Sequence, residues 1–342
     1  MGVLIADYGV FVLKLVTVAA IGVFAVVAII SAARKPQESN QLSIEHINKS
    51  LTDRNDAMRR AVLGRREARK LARERRRKKK EAGKSDADSK RNRVFVLDFK
   101  GDIRATATAS LREEVSAVIE FAGPGDQVLL RLENAGGAVH EHGLAASQLL
   151  RLRARGIRLT VAVDKVAASG GYLMAAAADR IVAAPFAVIG SIGVLVQLPN
   201  FHRLLEDKGI DFEQITAGKH KRTVTMFGKN TDEDRAKLKE ELEDVHVLFK
   251  DAVAKYRPDL DLDKIATGEH WYGTRALELG LADELKTSDE LLGARVSSHD
   301  LYQVSYKVKQ PLQKRLMANV ESAIERADSA GWRRKFESRL PR

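Results

Sequence analysis

The 342-residue chain contains no cysteine. Disulfides, thiolate zinc sites and cysteine nucleophiles are therefore excluded. It has no Walker-type glycine-rich phosphate loop, so it is not read as a P-loop nucleotide hydrolase. The net charge of +12 suggests nucleic acid, but 18 basic against 6 acidic residues between Arg54 and Arg93 account for all of it. The remainder is neutral. The basic segment has no interleaved aromatic residue and no recognisable module, so specific nucleic-acid binding is not expected. Before Lys14 there is Asp7 and no lysine or arginine, which lacks the basic start of a cleavable signal peptide.

What is present begins with Leu15 to Ala33, 19 residues without a charge. As a helix that run spans a hydrocarbon core of about 30 Å. Residues 1–35 are expected to be an uncleaved membrane anchor, flanked by Lys14, Arg34 and Lys35. Residues 36–93 read as a basic linker or stalk. A charged helix is expected over Asn55–Lys80, and the polar stretch after Gly83 is flexible in composition. Residues 54–93 could also touch anionic lipid, each basic side chain contributing about 1 kcal/mol near such a surface. The positive charge after the anchor favours a cytoplasmic catalytic side, although that rule weakens for long translocated domains.

From Val94 strands alternate with helices. Val94–Phe99, Gln127–Leu132 and Arg158–Val163 read as strands. Leu111–Ala122, His142–Arg155 and Tyr172–Ala178 read as helices. Such alternation implies parallel pairing and an α/β fold, here over residues 94–310. Ile181–Leu198 is apolar but is broken by Pro185, Gly190, Ser191 and Gly193, so it reads as core strands and turns. Residues 311–342 read as a basic amphipathic helix.

Chemistry gathers at small-residue turns. Asn134-Ala-Gly136-Gly137, Ser169-Gly170-Gly171 and Gly190-Ser191-Ile-Gly193 each permit positive φ and close approach of a substrate. N–H groups at a strand end or helix start can hold a developing oxyanion, worth about 2.7–4 kcal/mol per donor. Ser169 stands where an alanine-rich helix begins. Lys221 follows 52 residues later in Gly218-Lys-His-Lys-Arg. A neutral amine can take a serine proton, so such a pair could cleave amides or esters without histidine, aspartate or metal. In water a lysine titrates near 10.4 and is almost wholly charged at neutral pH, so the base needs an apolar pocket. Lys219 and Lys229 are neighbouring candidates. His140-Glu141-His142 has a spacing that suits no helical zinc pair, and His220 reads as a loop residue. No metal and no cofactor is expected.

At these residues the chain resembles the signal peptide peptidase (SppA-like) family of membrane serine proteases, in its SohB-type branch. The motifs are Leu130-Arg-Leu-Glu-Asn-Ala-Gly-Gly, Gly143-Leu-Ala-Ala-Ser-Gln-Leu, Ala167-Ala-Ser-Gly-Gly-Tyr, Pro185-Phe-Ala-Val-Ile-Gly-Ser-Ile-Gly-Val, Gly218-Lys-His-Lys-Arg and Gly268-Glu-His-Trp-Tyr-Gly. The resemblance implies a ClpP/crotonase-like fold and a Ser/Lys dyad, with Ser169 as nucleophile and Lys221 as base. By the same resemblance Ser191 orients the lysine amine, and Gly136, Gly137 and Gly170 shape the oxyanion and substrate-binding turns. Where the family usually has Ser-Pro-Gly-Gly, this chain has Asn134-Ala135-Gly136-Gly137. The implied substrates are signal-peptide remnants or misfolded membrane-linked proteins, cut in extended apolar segments.

The resemblance also implies a ring of subunits that can share a site, and an inner-membrane location with the catalytic domain on the periplasmic side. The apolar Val188–Leu198 stretch and the charged segments Asn230–Glu243 and Leu316–Arg334 fit packing between subunits. Two other readings remain open here. One is a non-catalytic membrane scaffold; the other is a crotonase-type acyl-CoA enzyme, which would need neither Ser169 nor an anchor.

Overall fold

The computed structural model describes residues 42–64, 91–218 and 221–308, with isolated positions 14–17, 67, 70, 73, 74 and 77. The chain divides into two units, Met1–Gln41 and Leu42–Arg342. The second unit carries the sheets and the site. Most of the expected anchor, the Arg75–Lys80 run apart from Arg77, and the expected C-terminal helix 311–342 lie outside the described residues. Among the described residues no helix is long and apolar enough to cross a membrane.

The strands are β1 (Leu42–His46), β2 (Arg93–Lys100), β3 (Gln127–Glu133), β4 (Arg158–Val163), β5 (Val166–Ala168), β6 (Arg180–Ala183), β7 (Val188–Gly190), β8 (His270–Tyr272), β9 (Glu284–Leu285) and β10 (Asp300–Tyr306). The helices are α1 (Ile47–Val62), α2 (Thr108–Phe121), α3 (Val139–Ala154), α4 (Gly170–Ala176), α5 (His202–Asp207), α6 (Asp232–Tyr256), α7 (Leu262–Ile265), α8 (Gly273–Glu278) and α9 (Ser288–Arg295). The α/β expectation holds. A seven-stranded sheet runs β1-β10-β2-β3-β4-β6-β9. Its pairs are parallel except β1 with β10.

Successive strand residues face opposite sides. Phe95, Leu97 and Phe99 of β2 therefore pack with Leu111 and Val115 of α2 and Leu149 of α3. Val94 and Val96 pack on the other face, with Leu291 and Leu292 of α9. A sheet covered on both faces explains the nearly unbroken apolar runs of its central strands.

Part of the expected linker belongs to this unit. β1 pairs along β10 from Leu42–Tyr306 to His46–Tyr302. At the start of α1, Asn48 Nδ2 donates to Val296 O (3.0 Å) and His299 O (2.9 Å), and Leu301 N donates to Asn48 Oδ1 (2.7 Å). One side chain thus satisfies three backbone groups, two in the turn before β10 and one at its start.

A three-stranded sheet, β5-β7-β8, stands at the C-terminal end of β3. A parallel bridge between Asn134 and Ala167 joins it to that strand. β5 and β7 are parallel with Ala168 opposite Gly190, so Ser169 and Ser191 leave adjacent strand ends. The apolar run after β7 is buried only to Ile192; Leu195, Val196 and Leu198 are exposed.

Candidate active site

The chain leaves β3 through Asn134, whose backbone is held on both sides. Its N–H donates to Val166 O (2.9 Å), and its carbonyl accepts from Ala168 N (3.0 Å). Gly136 and Gly137 follow with φ of +91° and +153°. A Cβ on Gly136 would stand 2.7 Å from Ser169 Cβ, and one on Gly137 would stand 2.2 Å from Ile103 O. Both positions therefore require glycine for conformation and for space.

Ser169 sits at the turn from β5 into α4. Its φ is +52° and ψ is −122°, a conformation that a non-glycine residue adopts only when its surroundings enforce it. The enforcement is visible. The Ser169 N–H donates to Gly190 O (2.8 Å), and its carbonyl accepts from Leu173 N (3.0 Å). Behind it, a Cβ on Gly170 would lie 2.5 Å from His142 Cγ, and one on Gly171 would lie 2.1 Å from Asn134 O. The helix start is pressed onto β3 and α3 with no room for side chains.

Not every backbone N–H here is available to an oxyanion. Ser169 N is used by Gly190 O. Gly136 N donates to Asn134 Oδ1 at 2.9 Å. Among the described residues, Gly137 N and Gly170 N have no hydrogen-bond partner. Gly170 also carries the first N–H of α4, one of the orphan donors of a helix N-terminus. Of the three glycines expected at an oxyanion turn, Gly137 and Gly170 thus keep donors to offer, while the Gly136 N–H is spent on holding the turn.

A cavity of about 190 Å³ adjoins Ser169. Its apolar wall includes Leu173, Val194 and, from α6, Val245, Leu248 and Phe249. The sequence places α6 firmly. Thr231 and Asp234 cap it reciprocally, with Asp234 N donating to Thr231 Oγ1 (3.1 Å) and Thr231 N donating to Asp234 Oδ2 (2.9 Å).

Ser191 has a φ of +51°. Its N–H donates to Glu269 O (2.6 Å) and its hydroxyl to Gly268 O (3.2 Å), so the Gly268-Glu-His-Trp-Tyr-Gly motif holds it in place. Lys221 lies elsewhere. It is exposed in a turn after Gly218, where φ is +99°, and its N–H donates to Gly218 O at 3.2 Å. It lines a separate cavity of about 720 Å³ with Phe212, Ile215, Met226 and Phe227. The single chain therefore gathers Ser169, Ser191, Gly136, Gly137 and Gly170, and leaves Lys221 in another cavity. Lys219 and His220 lie outside the described residues.

His140, Glu141 and His142 do not converge. His140 Nε2 lies 3.7 Å from Glu141 Oε1 at the surface, whereas the His142 ring is fully buried. His142 Nε2 is 3.2 Å from Asn134 Oδ1, and Nδ1 is 2.9 Å from Ala138 O. That inward placement was not legible from the spacing of the triplet. The available signal was helix periodicity: position 142 precedes Ala145, Ala146 and Leu149 on the inner stripe of α3.

The chain is similar to known proteins. Residues 3–149 match the N-terminal region of peptidase family S49, and residues 151–300 match peptidase family S49 itself. A "Probable protease SohB" of Haemophilus influenzae is 44% identical over 332 residues, covering 94% of each chain. A second, from Buchnera aphidicola subsp. Acyrthosiphon pisum, is 52% identical over 230 residues, 67% of this chain and 68% of that one. Among solved structures, a lysine-to-alanine mutant of a 1510-N membrane-bound stomatin-specific protease, in complex with a substrate peptide, gives a TM-score of 0.43 at 11% identity. That match covers 68% of this chain and 99% of the other. With both family segments matched and a relative aligned along nearly its whole length, the chain belongs to peptidase family S49 and is a SohB-type serine peptidase.

Proposed function

We propose that Ser169 is the nucleophile of this peptidase and that Lys221 is its base. Ser169 attacks the peptide carbonyl and passes its proton to the neutral Lys221 amine. The leaving amine takes that proton, and water then hydrolyses the acyl-enzyme with the same lysine as base. Gly137 N and Gly170 N hold the oxyanion, and Ser191 orients the lysine. The observation that carries the reading is the backbone of Ser169: a non-glycine residue held at positive φ, beside unused N–H donors and an apolar cavity. The apolar wall favours an aliphatic or small aromatic side chain next to the cut bond. Extended apolar segments, such as signal-peptide remnants or misfolded membrane-linked proteins, are the substrate class.

The separation of Ser169 and Lys221 into two cavities supports a shared site in a homo-oligomer, with the lysine of one copy completing the serine of the next. The exposed apolar side chains around Lys221, with Ile215 at 95% exposure, support the same assembly. In this reading residues 15–33 anchor the chain in a bacterial inner membrane, residues 54–93 contact anionic lipid, and the catalytic domain faces the periplasm.

Labelling with a serine-reactive probe tests the nucleophile: wild type should label and Ser169→Ala should not. Mixing inactive Ser169→Ala with inactive Lys221→Ala tests the sharing. Co-assembled mixtures should regain activity, and co-assembled mixtures that stay silent at every ratio would refute a shared site. A reporter fused after Arg342 reads the membrane side.

A further inference from the structure

The oxyanion turn has a weakness that its own residues do not cure. Ala135 leaves φ free where a proline would fix it, and two glycines follow, each losing more freedom on ordering than any other residue. Something outside the turn must hold it. Asn134 is the contact point. Its side chain is buried, with Oδ1 accepting from Gly136 N (2.9 Å) and Nδ2 reaching Met174 Sδ (3.3 Å). Gly101 presses on the same amide, since a Cβ there would lie 2.5 Å from Asn134 Cγ.

The remaining partner of Asn134 Oδ1 is His142 Nε2, at 3.2 Å. A carbonyl oxygen only accepts, so this bond forms in the tautomer that carries its proton on Nε2. Nδ1 faces Ala138 O, which already accepts the His142 backbone N–H at 3.1 Å. Ala138 O also only accepts, so the opposite tautomer would donate there and leave Asn134 Oδ1 without the ring N–H. The same ring fills the space above Gly170. It thereby touches both stretches of chain that offer oxyanion donors, the 134–137 turn and the start of α4. Both ring nitrogens face these oxygens, so neither is turned to the serine as a base.

We propose that His142 is a positioning residue for the oxyanion turn, acting through Asn134 to fix the Gly136–Gly137 backbone against Gly170. The inference rests on the peptidase reading for its kinetic consequence, but not for its structural one. His142→Phe keeps a planar ring and removes the donor. His142→Gln places an amide N–H near the position of Nε2 and should rescue. In the full chain, His142→Phe should speed amide exchange at Gly136 about tenfold or more, whereas His142→Gln should leave it near wild type. On an apolar fluorogenic peptide, His142→Phe should lower kcat about 10- to 100-fold, as small misplacements at a site do, with KM within about twofold. Combining it with Asn134→Ala should add little to either single loss.

Unchanged Gly136 exchange in His142→Phe, or a His142→Gln variant that falls as far as His142→Phe, overturns the proposal. So does full additivity with Asn134→Ala. If His142→Phe does not fold, the Gln variant and the Asn134→Ala cycle built on it decide. Should Ser169→Ala retain activity, the nucleophile assignment fails, and the exchange measurement still decides the role of His142.

Discussion

The two halves of the proposed site are built differently. Around Ser169 nearly every backbone group is committed: its own N–H and carbonyl, the Asn134 backbone and the Gly136 N–H all have partners. The side chains behind it are fully buried, Tyr172 and Met174 among them. Around Lys221, among the described residues, no strand is formed between Gly190 and His270, and Leu195, Leu204, Ile210 and Ile215 are all more than half exposed. One half is finished by the chain itself. The other carries apolar surface that an isolated copy leaves in water. Strain at Ser169 persists because the first half over-determines it. A lysine base, as proposed for Lys221, needs a desolvated amine, whereas Lys221 is exposed here.

The sharpest way to break this contrast is Lys221→Arg. Guanidinium stays protonated and cannot act as a base, so kcat should fall about 100- to 10,000-fold, the usual worth of general-base catalysis. Probe labelling and thermal unfolding would show whether the fold survives, as expected for an exposed position.

In the finished half, Gly171→Ala should cost stability. Its Cβ would lie 2.1 Å from Asn134 O, and overpacking of this kind typically costs about 1–3 kcal/mol. Denaturant unfolding should report that loss, with reduced activity, because β3 and α4 are forced apart. Gly143→Ala is the control, since nothing lies within 4 Å of a Cβ there.

In the unfinished half, Ile215→Ser should leave monomer stability nearly unchanged. If this surface is covered on assembly, the change should weaken that assembly by about 1.5–3 kcal/mol per site, the worth of burying such a side chain. Sedimentation at several concentrations measures this. An unchanged association would place the covering surface elsewhere.

The smallest effect is a pH dependence away from both halves, at the β10 side of the sheet. Glu114 on α2 is buried; Oε1 accepts from Tyr306 N (2.7 Å), while Oε2 has no partner among the described residues. Burial chiefly pushes its carboxyl up to about 7 from 4.5, with the Asp98 charge adding to that and the Tyr306 N–H opposing it. The folded state therefore binds this proton more tightly than the unfolded one. The associated stability is fully present below about pH 4.5 and is lost as pH rises through about 7. Glu114→Gln should flatten that slope, by on the order of 1 kcal/mol at neutral pH. Thermal unfolding across this range, in mutant and wild type, gives the comparison.

Much of the finished half was legible in the sequence because its signals are local. β2, β3 and β4 are short apolar runs between turn residues, and their observed ends differ from the expected ones by no more than a residue. Ser169 stood out because only small residues flank it. The features that escaped notice depend on partners far along the chain. Leu42–His46 becomes a strand only through β10, some 260 residues later, and its sequence LSIEH carries little pattern of its own. Asn134 was visible as a departure, yet the contact that gives it meaning comes from His142 on the next helix. Lys221 was visible as a type of residue but not as a placed one: it is exposed and lines a cavity that Ser169 does not share.

The pairing of Leu42 with Tyr306 has a mechanical consequence. The chain enters this unit and leaves its last described strand at the same corner of the sheet. A pull between the chain before Leu42 and the chain after Tyr306 is borne by that strand pair. The Ser169 turn, beyond β2 and β3, stays out of the load path, so tension at that corner leaves its geometry undistorted.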